Sequence, residues 1–512
     1  MNNFFKEYYQ TFIDKKKFIL IYVLALSLLT LGMFSHNNFT YPKTEIVFFA
    51  FSMVLGTFLI LYAFKNKDEL HKVALLVIIV VGGLTVFFAP PFIIPDEYFH
   101  INYALSFLDG NFFGEGSKII AGKANVFINK FYEPLYANIY HILKIDPGIN
   151  AFLLKNEVAF TSISNYANLT VWDRITNGPS YPYVFSALGL FIAKFFNLGV
   201  ICGIWLSRIP NLIVYGLATF FAIKKAPAYK MGLLVVSCNP LILSLVASSS
   251  HDSFVFIFLI LSMAFFISMY KNKVSIKNFS GFIICCILMG IIKQPYFLMV
   301  FLIFLIPFKS YNFKKINYKQ YKYILISIIS IILLGMIAMV CLICFNKIFL
   351  VNNLHTRLNY LFTHPTFSLD VLKHGLTFLH DMIINTPGYR KYFVGSFKGA
   401  ELYNILYFVF FIVFSILYPF KVKLSKNRKI VLGLLCVAFY FGMFFLIYLM
   451  WNAPGQYLDD LVQARYFIPL LPLIPLVLNY PIKKIKNIEY YTLTCVVIFS
   501  VSLVMFLVTH FY

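Results

Sequence analysis

Apolar runs of about 20 residues, the length that crosses a bilayer core, alternate along this chain with short polar connectors and two longer polar segments. They predict spans at Phe18–Phe34, Ile46–Ala63, Val73–Pro90, Cys202–Ile223, Met231–Ala247 and Ser253–Met269. Two short runs follow, Gly281–Ile292 and Pro295–Phe308, and then Tyr323–Phe345. Leu402–Phe420, Ile430–Met450, Tyr466–Leu478 and Tyr491–Val508 complete the series. The first long polar segment closes with an apolar stretch, Tyr181–Leu198, that carries Lys194. The expected fold is therefore an all-α polytopic membrane protein in five regions: N-terminal spans (1–94), a first large external loop with interfacial helices (95–200), a central bundle (201–346), a second external loop (347–400) and C-terminal spans (401–512).

At the end of the third run the pattern changes abruptly. Pro90-Pro91 break the helix, and Asp96-Glu97 follow. From there Tyr98, Ile101, Leu105 and Leu108 recur at helical spacing, with Asp96, Glu97 and His100 on the other side, until Gly110 ends the run. This predicts an amphipathic interfacial helix whose acidic and imidazole groups face water or a cleft. Only 20 of 512 residues are acidic, so an adjacent pair at a helix break points to chemistry; helix capping is the plain alternative.

Composition agrees with a membrane protein. Hydrophobic residues make up 60% of the chain and mean hydropathy is +0.80. The net charge of +23 is dispersed over short loops, which argues for membrane topology and against nucleic acid. With Tyr181–Leu198 placed in the outer interface, every basic connector falls inside: Lys65–Lys72, Lys224–Lys230, Lys271–Lys277, Lys309–Lys322, Lys421–Lys429 and Lys483–Lys486. That arrangement has about thirteen spans, a cytoplasmic N-terminus and an external C-terminus. Residues 1–17 read as a short basic segment left in the cytoplasm, with no cleaved leader. The eight cysteines lie in apolar runs and predict neither a disulfide framework nor a zinc site. Abundant Phe, Ile, Lys, Asn and Tyr point to an AT-rich bacterial genome.

The same topology gathers four polar clusters on the outer face: Asp96-Glu97, Ser248–Asp252, Lys293-Gln294-Pro295-Tyr296 and Gln463-Ala464-Arg465-Tyr466. Ionisable groups at membrane depth are costly and are functional candidates. Carboxylates facing Lys and Arg suit transfer from a lipid-anchored phosphate donor. Asp96, with Glu97 second, is the candidate base. His100, His251 and Asp252 are candidates to orient it or contact an acceptor. Lys293, Arg465, Arg208, Tyr296 and Gln463 are candidates for the donor phosphate, with Arg390 and Lys391 weaker ones. Asp96, Glu97 and Asp252 are the ligands available to a divalent cation such as Mg²⁺ or Mn²⁺. Plain readings stand beside these: Lys293 snorkelling from a short span, Arg465 an interface anchor, Asp252 an N-cap.

Pro95-Asp96-Glu97 with His100, Asp252-Ser253, Lys293-x-Pro295-Tyr296 and Gln463-x-Arg465-Tyr466-Phe467-x-Pro469, in that order, resemble a family of bacterial membrane proteins known as a domain of unknown function, of the 2142 type. That family looks like a branch of the GT-C glycosyltransferases. The resemblance implies a GT-C-like bundle in the bacterial plasma membrane. It implies an acidic catalytic residue in the first external loop, matched by Asp96 or Glu97. It also implies an inverting sugar transfer from a polyprenyl-phosphate donor to an extracytoplasmic cell-envelope glycan or lipid, such as cell wall polysaccharide. Two departures bear on pocket shape: Ala464 where Gly usually precedes the arginine, and no tryptophan near Gly395–Gly399. A transporter or flippase of lipid-linked glycans, and a non-catalytic subunit of an envelope-polymer assembly, are the competing readings. Arg208 beside Pro210 favours the transporter; the absence of a clear internal repeat disfavours it.

Overall fold

The computed structural model describes residues 2–34, 42–91, 94, 96–108, 110, 112, 180–311, 354–385, 400–456, 462–480 and 485–511. Among them the chain is helical throughout, with no strand. The elements are α1 (Asn2–Phe34), α2 (Pro42–Lys65), α3 (Leu70–Phe88), α4 (Glu97–Leu108), α5 (Val184–Phe195), α6 (Val200–Lys225), α7 (Lys230–Ser237), α8 (Pro240–Val246), α9 (Asp252–Lys271) and α10 (Ile276–Ile292). Two of the 3₁₀ segments bear on the site; after the first of these (Gln294–Leu305) come α11 (Leu354–Thr363), α12 (Pro365–Asn385), α13 (Ala400–Leu417) and α14 (Lys426–Trp451). A second 3₁₀ segment (Ala464–Leu470), α15 (Ile474–Leu478) and α16 (Ile488–Phe511) end the chain.

Six of the described helices are long and apolar enough to cross a membrane: stretches of α2, α3, α6, α9, α14 and α16. The expected count of about thirteen spans is not reached among the described residues, and there are physical reasons for the shortfall. Tyr323–Phe345 lies outside them. Met231–Ala247 divides into α7 and α8, because Asn239 caps a new helix through a bond from the Ile242 amide (3.2 Å) and Pro240 takes its first position. Tyr466–Leu478 contains Pro469, Pro472 and Pro475, and it divides into the second 3₁₀ segment and α15. Helix α5, in the stretch placed at the interface and not counted among the thirteen, has 12 residues and is about 18 Å long, short of the ~30 Å hydrocarbon core.

Packing places the ends of these elements around one corner. Helix α6 lies against α3, α5 and α9, while α9 also packs on α10. Pro210 within α6 leaves the Leu206 carbonyl without its helical amide. Gly189 of α5 sits on that carbonyl: a Cβ there would be 1.8 Å from the oxygen. The two helices thus approach backbone to backbone, immediately beside Arg208. On the far side, α16 packs on α1, α2 and α3 and is almost entirely buried.

Candidate functional site

The site begins where α3 ends. Pro90 and Pro91 lack amide hydrogens, so the helix stops at Phe88 and leaves carbonyls unpaired at its C-terminus. Arg208, fully buried on α6, fills that need. Its Nη1 donates to the carbonyls of Val86 (2.9 Å) and Ala89 (2.7 Å), and its Nη2 donates to that of Pro90 (3.1 Å). The remaining donors grip Glu97, Nε to Oε1 (2.8 Å) and Nη2 to Oε2 (2.6 Å), and Oε1 also accepts from the Ser249 amide (3.2 Å). All five guanidinium hydrogens are committed. Arg208 therefore ties the end of α3 to the start of α4, a buried bidentate clamp and not an open phosphate site.

Glu97 and His100 do not face water, contrary to the amphipathic pattern. They are 1% and 3% exposed, while Phe99 is 46% exposed. The polar side of α4 docks on α6 and on the turn before α9, so the helix is polar inward at this end. Gly110, at φ +85, ends the α4 segment in the left-handed conformation that favours glycine.

Asp96 has the opposite environment to its neighbour. Its backbone is left-handed (φ 59), a region Asp tolerates, and its carbonyl accepts from the His100 amide (3.0 Å). That twist turns the side chain outward, where it is 44% exposed. One carboxylate oxygen accepts from Arg465 Nη2 (2.5 Å). Arg465, 4% exposed in the second 3₁₀ segment, also lies 3.5 Å from Asp252 Oδ2. The other Asp252 oxygen accepts from Lys293 Nζ (2.6 Å). Lys293 comes from the corner between α10 and the first 3₁₀ segment and stands over the Tyr466 ring (4.5 Å). Tyr296, fully buried, donates to the Tyr466 carbonyl (3.3 Å). Gln463, half-buried, precedes the second 3₁₀ segment, and its Oε1 has no hydrogen-bond partner among the described residues.

The result is a row running Asp96, Arg465, Asp252, Lys293, with two carboxylates and two cations. Burial alone would lower the proton affinity of Arg465, but Asp252 and Asp96 outweigh it and hold the guanidinium charged. Burial lowers the Lys293 pKa below its ordinary value, against the pull of Asp252. Asp252 Oδ2 accepts no hydrogen bond among the described residues and so keeps an open acceptor face.

Behind this row lies a residue the sequence did not single out. The Tyr183 hydroxyl is 2.9 Å from His100 Nδ1 and 3.0 Å from His251 Nδ1, bridging the two rings. His100 Nε2 meets the Ser250 hydroxyl (3.2 Å), and His251 Nε2 lies 3.8 Å from Asp252. Burial pushes the His100 pKa down to about 4, aided by Arg465, and pushes that of His251 well below its usual value. Both rings are neutral near pH 7, so the tyrosine donates to one nitrogen and accepts from the other. The serine turn is held by further bonds, from Asn211 Nδ2 to the Ser248 carbonyl (2.7 Å) and between the Ser207 and Ser249 hydroxyls (2.6 Å).

Asp96, Glu97, His100, Arg208, His251, Asp252, Lys293, Tyr296, Gln463 and Arg465 thus come together from distant parts of the chain, while Arg390 and Lys391 lie outside the described residues. Among the described residues no group of three or more His, Cys, Asp or Glu side chains is placed to hold a metal ion. Each carboxylate is matched to a cation, Glu97 to Arg208, Asp96 to Arg465 and Asp252 to Lys293.

No curated protein sequence and no solved structure matches the chain. The family described as "Predicted membrane protein (DUF2142)" matches residues 79–474, a stretch that takes in every side chain of the row and of the Arg208 clamp, and the protein belongs to that family.

Proposed function

We propose that the protein is an integral-membrane glycosyltransferase of GT-C type, moving a sugar from a polyprenyl-phosphate carrier to an extracytoplasmic cell-envelope glycan or lipid. One observation carries the reading: Asp96 is a half-exposed carboxylate held against a buried arginine, within a row that also contains Lys293. In this scheme the donor phosphate enters beside Arg465 and Lys293 and takes over Arg465 from Asp96. The freed carboxylate then accepts the proton of the attacking hydroxyl. The hydroxyl oxygen bonds to the anomeric carbon, the carbon–oxygen bond to phosphate breaks, and the phosphate leaves as an anion stabilised by charge-assisted hydrogen bonds. Glu97 and Arg208 set the α3–α4 corner that positions Asp96, and the Tyr183–histidine bridge fixes the opposite wall.

A transporter of lipid-linked glycans is the second reading. The break between α7 and α8, where the buried Asn239 side chain caps α8, is the kind of interrupted helix that transporters use. Purified protein in vesicles, supplied with a panel of radiolabelled polyprenyl-phosphate sugars, separates the two. Label passing to an acceptor supports the transferase. Carrier lipid crossing the bilayer with no transfer from any donor sinks it.

A further inference from the structure

Helix α1 is not one straight rod. Its backbone leaves helical geometry at Lys15 (φ −117, ψ 16). Beyond that elbow the apolar limb runs down α2 in the opposite direction, with Phe18 against Phe64 (5.4 Å between ring centroids) and the Tyr22 hydroxyl donating to the Ser52 carbonyl (2.5 Å). A straight helix would carry Tyr8 about 15 Å past Phe18, clear of α2. Instead Tyr8 stacks on Phe58 (6.3 Å), and Glu7 pairs with Lys65. The first limb is therefore folded back beside the end of a membrane-length helix.

The sides of that limb differ in kind. Phe5, Tyr9, Phe12 and Ile13 are 63%, 66%, 37% and 43% exposed, and helical spacing puts them within an arc of roughly 100°. Glu7, Gln10 and Asp14 occupy the opposite side, all exposed, with Gln10 bonded to Asp14 (3.1 Å). Tyr8 lies between the two sides and faces the bundle. One side apolar, one side polar and one flank packed is the geometry of a helix lying in an interface. At the elbow, lysines surround two tyrosines at the start of α16. Lys15 Nζ is 4.3 Å and Lys67 Nζ 5.9 Å from the Tyr490 ring, Lys17 Nζ is 5.6 Å from that of Tyr491, and Lys16 is exposed. Lys65 and Ile488 mark this level as the end of the membrane-length stretches of α2 and α16, the depth at which aromatic rings and cations sit against headgroups.

We propose that Asn2–Asp14 is an in-plane membrane anchor whose elbow lysines, Lys15, Lys16 and Lys17, together with Lys67 beside Tyr490, bind the phosphates of anionic phospholipids. The exposed apolar stripe suits the hydrocarbon boundary, and the lysine cluster complements an anionic leaflet. A second protein chain on the stripe is the alternative occupant that the test excludes. The inference does not rest on sugar transfer.

The test uses full-length protein in vesicles, with Phe5→Trp, Phe12→Trp or Gln10→Trp compared with the parent. Quenching by brominated lipid is expected at positions 5 and 12, and quenching by aqueous acrylamide at position 10. Brominated phosphatidylglycerol is expected to quench Phe12→Trp roughly twofold more than brominated phosphatidylcholine. Replacing Lys15, Lys16 and Lys17 by Gln is expected to abolish that difference. Acrylamide quenching at all three positions, protection of positions 5 and 12 from both quenchers, or equal quenching by the two lipids would each overturn the proposal.

Discussion

Arg208 and Glu97 offer the sharpest test of the site's architecture, because both are fully buried and in direct contact. Arg208→Met leaves the Glu97 carboxylate buried without its guanidinium partner, and it strips donors from the carbonyls of Val86, Ala89 and Pro90. Breaking one side of a buried pair costs about 3–5 kcal/mol. Glu97→Gln leaves the guanidinium uncompensated and costs a similar amount, about 3–5 kcal/mol. The double variant removes both charges but still takes the Arg208 donors from three backbone carbonyls, at about 1 kcal/mol net or more each, so its expected loss is about 3–5 kcal/mol, well short of the sum of the two single losses. The double variant should therefore lose much less than the two single variants added together, a coupling that a pair in contact must show. Unfolding of the purified protein titrated with SDS reads these differences. Wild-type stability in Arg208→Met, with additive effects in the double variant, would refute the clamp and return Arg208 to the role of a ligand-binding cation.

Other outcomes follow from the same geometry. Gly189→Ala drives a methyl into the Leu206 carbonyl, so a loss of at least about 1–3 kcal/mol and a widened α5–α6 spacing are expected, read by SDS titration and by cross-linking across the two helices. Tyr183→Phe leaves the two histidine Nδ1 atoms without their bridge, at a cost of about 1–3 kcal/mol, checked by the same titration. Acid should weaken the protein through its buried histidines. The His100 pKa lies at about 4 against an ordinary 6.5, so stability is full above pH 6.5 and falls as pH drops towards 4, by about 3 kcal/mol for His100 alone. Thermal midpoints between pH 7.5 and 4.5 read this, and a flat profile across that range contradicts neutral buried rings.

Much of the site is readable from residue type and position alone. Charged side chains within apolar runs or at their ends are expensive, and Arg208 in the first position and Asp96, Asp252, Lys293 and Arg465 in the second stand out for that reason. What the sequence does not carry is the docking angle of α4. Asp96 and Glu97 are adjacent and chemically alike, yet a left-handed residue at the helix start sends one outward and the other under Arg208. Tyr183 sits in an apolar stretch and reads as an ordinary packing aromatic; its signal, a polar tip just after Ser180 and Pro182, gains meaning only when two histidines arrive from elsewhere. The α7–α8 break has a clear local cause in Asn239-Pro240, but continuous apolarity on both sides hides it from a count of spans.

The most direct measurement of the central claim compares Asp96→Asn with wild type in transfer of sugar from a polyprenyl-phosphate donor. Both proteins are matched for folded amount by size exclusion, and SDS stability is measured alongside. The account predicts a rate lower by about a hundredfold to ten-thousandfold with unchanged stability, because Asp96 is half-exposed and supplies the base without supporting the fold. A wild-type rate in Asp96→Asn would contradict it.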